Sequence, residues 1–159
     1  MIRSAVLGDV PFLVDLEQSS FAADRLTYRQ FRYMLMRAKA LTLVAELDGE
    51  IVGYVLVIFP RGGRVARIYS IAVSHKARSR GVGSALVDAA ERRSLDIGRS
   101  LMKLEIRIDN HPSQKLFHRA GYKEIRIVAD YYEDRAPAIR YEKSLVRYEP
   151  ANVEHESRI

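Results

Sequence analysis

The sequence predicts an α/β (α+β) fold: a mixed, mostly antiparallel β-sheet of about six or seven strands with helices on both faces. Three observations predict it. Apolar and polar residues alternate over several strand-length segments, apolar residues recur with helical period in others, and Gly, Pro and Asp residues separate the two kinds of segment. Taken in order, the segments give βααβββαβαββ, in which helices are interleaved with strands.

The first third of the chain predicts a short strand and two helices. Residues 2–7 (IRSAVL) have strand character. Asp9 belongs to the residue types that cap helices, and the helical segment behind it runs to about Ser19 with Pro11 in its first turn. A second helix, about 28–38, follows the capping-box pattern Thr-x-x-Gln at positions 27–30.

A β-hairpin is predicted next. Residues 41–47 alternate, Asp48-Gly49 forms a two-residue turn, and the apolar run 51–59 has the composition of a strand buried on both faces. The remaining predicted elements come from alternation, helical period and glycine stops: a strand 65–73, a helix 81–97 ended by Gly98, a strand 101–108, a short helix 112–119 and strands 122–128 and 138–146.

Composition limits the function classes. The 159 residues fit one domain, predicted over 1–146, and a polar, mobile tail over 147–159. No apolar run approaches the ~20 residues of a membrane helix, and no signal-peptide core is present, so a cytoplasmic location is expected. The absence of Cys excludes disulfides and an acyl-cysteine intermediate, and the four His residues lack metal-ligand spacing, so no metal is expected. A formal net charge of +6 suits an anionic ligand.

One basic loop has the pattern of an anion site. A strand ends at Val73, and Arg78-x-x-Gly81-x-Gly83 opens a helix whose first N–H groups lack partners. Glycines let these N–H groups approach a pyrophosphate, and Arg80 adds a second guanidinium. A β-branched residue at 83 is therefore expected to obstruct the anion. Dinucleotide and P-loop fingerprints fit worse, and a helix start with solvated arginines remains the alternative.

The same segment resembles a known family. RSRGVGSALVDAA resembles the acyl-CoA signature of the GNAT superfamily of N-acyltransferases, and LEIRIDNHPSQKLFHRAGYKEI resembles the strand and helix that follow it there. YYEDRAPAIRYEKSL resembles the last strands of the ribosomal-protein-alanine N-acetyltransferase (RimI-like) branch. The resemblance covers about residues 2–146. It implies a GNAT-like sheet splayed between the strands near 65–73 and 101–108, with acetyl-CoA as cosubstrate and no metal.

The resemblance also implies site residues. The strand end pairs with the pantetheine arm, the glycine loop wraps the pyrophosphate, and an Asn and an aromatic residue lie beside the cofactor. The implied cofactor residues are Ile71, Ala72, Val73, Arg78, Ser79, Arg80, Gly81, Val82, Gly83, Ser84, Asn110 and Phe117.

Glu105 matches the position of the general base in the resembling family. Alternation places its side chain on the face opposite the apolar residues of its strand. The alternative is a solvated strand glutamate between Lys103 and Arg107, whose positive charges would keep it ionised and weaken it as a base.

The general-acid position departs from the RimI-like pattern, because it holds Phe117 instead of tyrosine. Three accounts are open. The thiolate leaves without a dedicated acid; another donor substitutes, namely Tyr122, Tyr131, Tyr132 or His118; or the chain is a non-catalytic acyl-CoA-binding or sensor module. Tyr131 and Tyr132 lie in the loop where the resemblance places the acceptor. Direct transfer in a ternary complex is expected, since no Cys can carry the acyl group.

The acceptor is expected to be a primary amine. Asp24 is predicted on one wall of the acceptor cleft, and Glu133 and Asp134 on the other, where they would meet a cation. A peptide or protein N-terminus, a lysine side chain and a small-molecule amine all remain open. A basic nucleic-acid-binding domain is the weakest alternative, so no nucleic-acid or membrane partner is expected, and the chain is expected to be a monomer or homodimer.

Overall fold

A computed structural model of the chain describes residues 1–37 and 39–146. The predicted mobile tail lies outside the described residues, and the division into a domain over 1–146 and a tail stays a prediction.

Over the described residues the chain forms seven strands and four α-helices in the predicted order. Short 3-10 turns at Leu7–Asp9 and His75–Ala77 precede the first and third helices. The elements are β1 (Ile2–Ser4), α1 (Val10–Ser20), α2 (Tyr28–Met36), β2 (Ala40–Leu47), β3 (Glu50–Ile58), β4 (Val65–Val73), α3 (Val82–Asp96), β5 (Leu101–Arg107), α4 (His111–Arg119), β6 (Lys123–Val128) and β7 (Ala138–Ser144).

The strands form one sheet in the order β1-β2-β3-β4-β5-β7-β6. Only the β4–β5 pair is parallel, so the predicted mixed, mostly antiparallel sheet is confirmed. One apolar cluster packs α3 and α4 on one face, and a second packs α1 and α2 on the other. The cores on both faces explain why β3 is buried along most of its length.

The sheet opens in its centre. β4 and β5 pair at only three positions, of which Arg67 opposite Lys103 is the last. Two residues further on, Tyr69 is an extra residue of β4 in its pairing with β3, which makes a β-bulge. A bulge bends its strand and increases the local twist. The two strands therefore separate beyond Arg67, and the splay that the resemblance implied is confirmed.

Local signals mostly formed as predicted. Thr27 Oγ1 accepts from Gln30 N at 3.2 Å and Gln30 Oε1 accepts from Thr27 N at 2.9 Å, which completes the capping box of α2. Asp9 precedes α1 but makes no side-chain cap for it. Its carboxylate instead accepts from Val6 N at 2.8 Å and pairs with Arg3, so it stabilises the turn before the helix.

Two further patterns can be compared with the structure. Asp48 and Gly49 both have positive φ, 52° and 77°, as the predicted two-residue hairpin turn requires. The buried stripe of α3 includes Ser94, whereas the neighbouring side chains of Arg93 and Ile97 are exposed.

Candidate active site

The loop between β4 and α3 has the backbone shape expected of an anion site. Ser79 and Gly81 have φ values of 66° and 76°, and Gly81 is the N-cap of α3 without a side-chain cap. A Cβ built on Gly81 would have no atom within 4 Å. Arg78 and Arg80 are exposed beside it. The first turn of a 15-residue helix thus faces open space, flanked by two guanidinium groups.

Gly83 faces α4. A Cβ there would lie 3.3 Å from Leu116 Cδ2 and 3.8 Å from Val73 Cγ2. A β-branched residue at 83 would therefore press on Leu116, and the expectation that it obstructs the anion stays a prediction. Ser84 is exposed, whereas the Val82 side chain is buried in the core, which leaves only its backbone facing outward.

The other predicted cofactor residues divide into two groups. Ile71, Ala72 and Val73 pair with β3 on one side, and in the part of the chain that the structure describes no strand pairs with their other edge. Asn110 caps α4, and its Oδ1 accepts from Ser113 N at 3.2 Å.

Phe117 does not line the open cleft. Its side chain is 1% exposed and packs edge-on against Tyr122, with ring centroids 5.2 Å apart. The helix α4 turns this residue into the core shared with α3, so the predicted contact between Phe117 and the cofactor is not supported by its position.

Glu105 lies at the opening of the sheet and is enclosed by donors. Its side chain is 5% exposed, pairs with Arg67, and accepts from Arg140 Nε at 2.8 Å and from the Tyr131 hydroxyl at 3.2 Å. These three bonds occupy three of the roughly four acceptor positions of a carboxylate. The alternative of a solvated strand glutamate is therefore wrong, and one position is left for a further N–H or O–H donor.

The cations expected to act on Glu105 have other partners. Lys103 Nζ lies 3.5 Å from a carboxylate oxygen of Glu142, and Arg107 pairs with Asp109 and Asp134. The hydrogen bond from Arg107 lowers the pKa of Asp134. Asp134 is thus engaged within the protein, which leaves it less able to meet an acceptor amine.

Tyr131 and Tyr132 form an aromatic pair above this carboxylate. Tyr131 is 44% exposed, and its ring lies edge-on to Tyr132 at 4.9 Å. The Arg107 guanidinium lies 5.5 Å from the centre of the Tyr132 ring. Burial raises the pKa of Tyr131, and burial, Tyr131 and Glu105 together raise the pKa of Tyr132 to about 12. Both hydroxyls therefore carry their protons at neutral pH.

Other predicted donors and acceptor contacts are spread more widely. Tyr122 is buried on the α3 side, where its hydroxyl donates to Glu91 at 2.9 Å and burial raises its pKa. His118 is exposed on α4. Asp24 and Glu133 are exposed, and the charge of Asp24 contributes to the raised pKa of Tyr132. Their place on two walls of an acceptor cleft stays a prediction.

Three charged side chains in and near this opening were missed from the sequence. Arg67 and Arg140 hold Glu105, and Glu17 is a buried carboxyl that joins α1 to the sheet. Strand alternation was the available signal for Arg67, since it lies between inward-facing Ala66 and Ile68. Arg140 becomes recognisable only once the β5–β7 register is known.

Residues 10–122 match the Acetyltransferase (GNAT) family. The chain belongs to this family. It is 30% identical over 144 residues to an N-alpha-acetyltransferase of Sulfurisphaera tokodaii, a match that covers 84% of this chain and 86% of that protein. It is 35% identical over 140 residues to an uncharacterized N-acetyltransferase of Methanocaldococcus jannaschii, covering 87% and 88%.

The crystal structure of the ribosomal-protein-S18-alanine N-acetyltransferase from Escherichia coli shares the fold, with a TM-score of 0.82 and 22% identity over 94% of this chain and 96% of that one. The predicted resemblance to GNAT and RimI-like proteins is confirmed, and the chain is an N-acetyltransferase of a family that uses acetyl-CoA. Among the described residues, no helix is long and apolar enough to span a bilayer, and no cluster of three or more potential metal ligands occurs.

Proposed function

We propose that this GNAT enzyme moves the acetyl group of acetyl-CoA directly onto the α-amine of a protein or peptide N-terminus. The observation that carries the proposal is the Glu105 cluster, located where β4 and β5 separate and beneath two protonated tyrosines. The N-alpha-acetyltransferase name of the Sulfurisphaera relative supports this choice of amine over a lysine or a small molecule.

The acetyl-CoA site of the proposal lies along the open edge of β4 and the start of α3. Backbone groups of 71–73 would pair with the pantetheine arm. The helix N-terminus at 81–84, with Arg78, Ser79 and Arg80, would hold the pyrophosphate, because unpaired N–H groups, positive charge and open space at Gly81 coincide there. The amide of Asn110 is the remaining polar group expected at the cofactor.

The acceptor chemistry is assigned to the opposite side of the opening. Glu105 uses its free acceptor position to orient the incoming amine. An N-terminus that enters as an ammonium first loses one proton to water. The neutral amine nitrogen then attacks the acetyl carbon, the C–N bond forms, the C–S bond breaks, and a second amine proton leaves to water. Tyr131 supplies a proton to the departing sulfur and takes one back from water. Asp24 and Glu133 hold the positive charge of an N-terminus as it enters.

Two glycines with matched backbones test the cofactor site. Gly81 and Gly49 have φ values of 76° and 77°, and a Cβ on either one meets no atom within 4 Å. Gly81→Ala and Gly49→Ala therefore carry the same strain, about 1–2 kcal/mol for a left-handed alanine. Calorimetric titration with acetyl-CoA should show affinity reduced about tenfold or more, about 1.4 kcal/mol, for Gly81→Ala only. Equal affinities in the two variants would remove the pyrophosphate from this loop.

The acceptor is tested with three amines of different classes. One is a peptide with a free N-terminus, one is the same peptide with a blocked N-terminus and an internal lysine, and one is a small diamine. Mass spectrometry should find acetylation of the free N-terminus only. Tight acetyl-CoA binding without turnover on any amine would favour the non-catalytic sensor instead. The monomer or homodimer state and the cytoplasmic location remain part of the proposal.

A further inference from the structure

One short segment of the chain carries cations without acidic residues. Residues 25–39 contain five cationic side chains and no acidic one, namely Arg25, Arg29, Arg32, Arg37 and Lys39. The segment therefore has a formal net charge of +5. Its centre is α2, a surface helix.

The outward face of α2 combines these cations with aromatic rings. Tyr28 and Tyr33 are 52% and 58% exposed, and Arg29 and Arg32 are exposed between them. Within the described ranges neither Arg29 nor Arg32 has an ion-pair partner. The Arg37 guanidinium lies 5.3 Å from the centre of the Tyr33 ring, which is a cation–π contact.

The outward face of α2 contains none of the residues assigned to acetyl transfer, of which Asp24 is the nearest in sequence, four residues before Tyr28. α2 packs against α1 and β2, and β3 lies between β2 and the opened strand β4. The inward side of α2 is used up by the core, where Phe31 is fully buried and Met34 and Leu35 are half-buried. A helix that inserts into a bilayer needs a broad free apolar face, whereas the exposed side of α2 offers Met36, 69% exposed, among arginines and tyrosines.

We propose that the α2 face formed by Tyr28, Arg29, Arg32 and Tyr33 binds single-stranded RNA, with the guanidinium groups on phosphates and the tyrosine rings on bases. Cations without acidic neighbours complement a phosphate backbone, and exposed aromatic rings stack only on bases that are free of a duplex. RNA presents such bases in loops and single strands. The sequence predicted no nucleic-acid partner, so RNA is an additional partner in this proposal. Its binding at α2 leaves the acetyl-transfer chemistry unchanged.

Fluorescence anisotropy with a labelled single-stranded RNA oligonucleotide tests the proposal. Arg29→Glu/Arg32→Glu should weaken RNA binding at least tenfold and flatten its salt dependence by about 0.7 per lost phosphate contact. Tyr28→Ala/Tyr33→Ala should weaken binding with the salt slope retained. The matched control is Arg61→Glu/Arg126→Glu, which changes the net charge equally at exposed positions away from α2 and should keep most of the affinity.

Four results would overturn the proposal: equal loss of RNA binding in the control variant, tighter binding to the duplex, tighter binding to a DNA strand of the same sequence, or binding to phosphatidylserine vesicles in place of RNA. Acetylation of a short peptide should proceed at the same rate in the α2 variants, which shows that they are folded. That readout also separates this surface from the proposed function, since either can fail alone.

Discussion

Glu17 offers a direct test of the packing between α1 and the sheet. Its side chain is 1% exposed, Oε2 accepts from Leu26 N at 2.7 Å, and Oε1 accepts from the Tyr54 hydroxyl. Ser70 Oγ lies 3.4 Å from the same Oε1 and 2.6 Å from the Tyr54 hydroxyl. One carboxyl thus joins the C-terminal end of α1, the segment entering α2, and strands β3 and β4.

The expected loss of stability in Glu17→Leu follows from the hydrogen-bond donors that lose their acceptor. Glu17→Leu strands the buried Leu26 N–H, at about 1–3 kcal/mol, and costs the Tyr54 hydroxyl less because Ser70 still pairs with it. We expect a total loss of about 2–4 kcal/mol in the free energy of unfolding, which is a large part of the stability of an ordinary domain. Glu17→Gln keeps an acceptor for Leu26 N and should cost much less.

The stability of the wild type should also depend on pH, and the raised pKa of Glu17 determines the direction. Burial raises the pKa of Glu17, so the folded state disfavours the ionised form. The wild type is therefore relatively most stable below the ordinary carboxyl pKa of about 4.3, and it loses stability as pH rises from there through the raised folded value. The glutamine variant has no proton to lose. Its stability relative to wild type should improve as pH rises from about 4.3 through the raised pKa of folded Glu17.

Denaturant unfolding of wild type, Glu17→Gln and Glu17→Leu at several pH values measures both effects. Glu50→Gln is the control, because Glu50 is an exposed glutamate whose side chain is 67% exposed. It should show neither effect. A stability difference between Glu17→Gln and wild type that stays constant with pH would refute the argument that burial sets the protonation of Glu17.

Three further predictions concern the transfer chemistry. Phe117→Tyr places a hydroxyl in the core and should cost about 1–3 kcal/mol of unfolding free energy without raising kcat; a tenfold gain in kcat would instead identify position 117 as the proton-donor site. Tyr131→Phe should lower kcat by about 10²-fold or more with an unchanged KM for acetyl-CoA, whereas Tyr132→Phe should keep most of the rate. Glu105→Gln should abolish transfer and lower the free energy of unfolding by about 1–3 kcal/mol. This loss is smaller than for breaking a fully buried ion pair, because the arginine partners of Glu105 are 23–30% exposed. The affinity for acetyl-CoA, measured by calorimetry, should be retained.

Local chemistry made most of the fold predictable. Two local features illustrate this, the capping box at Thr27 and Gln30 and the turn at Asp48 and Gly49. Each depends on residues at most three positions apart, so the local sequence is enough to predict it. Asp9 shows the limit of such signals. It had two possible uses, a helix cap or an ion pair, and Arg3 on the adjacent strand decided between them.

The surroundings of Glu105 were beyond local inference. Lys103 and Arg107 are its neighbours in sequence, but same-side residues of one strand are nearly 7 Å apart. Residues directly opposite on a paired strand have Cβ atoms about 4.5–5.5 Å apart, and Arg140 is the residue opposite Glu105 on β7. Which residue stands there depends on a register set by the whole sheet. The contact between Arg67 and Glu105 additionally requires the parallel pairing of β4 with β5, which are connected through α3.

The two arginines have a consequence for the missing tyrosine at 117. Phe117 lies on the α3 side of the sheet, whereas Glu105 and Tyr131 lie on the opposite face. In the proposed reaction Tyr131 gives up its proton beside a carboxylate, which alone would oppose the charge it acquires. Arg67 and Arg140 favour that charge, since both act to lower the pKa of Tyr131 against the effects of burial and Glu105. The pairs around Glu105 therefore do more than fix a carboxylate: their two positive charges offset part of the cost of a transient phenolate at Tyr131, whose pKa burial and Glu105 keep raised. In the proposed reaction the donor role thus lies on the acceptor face, without a hydroxyl at 117.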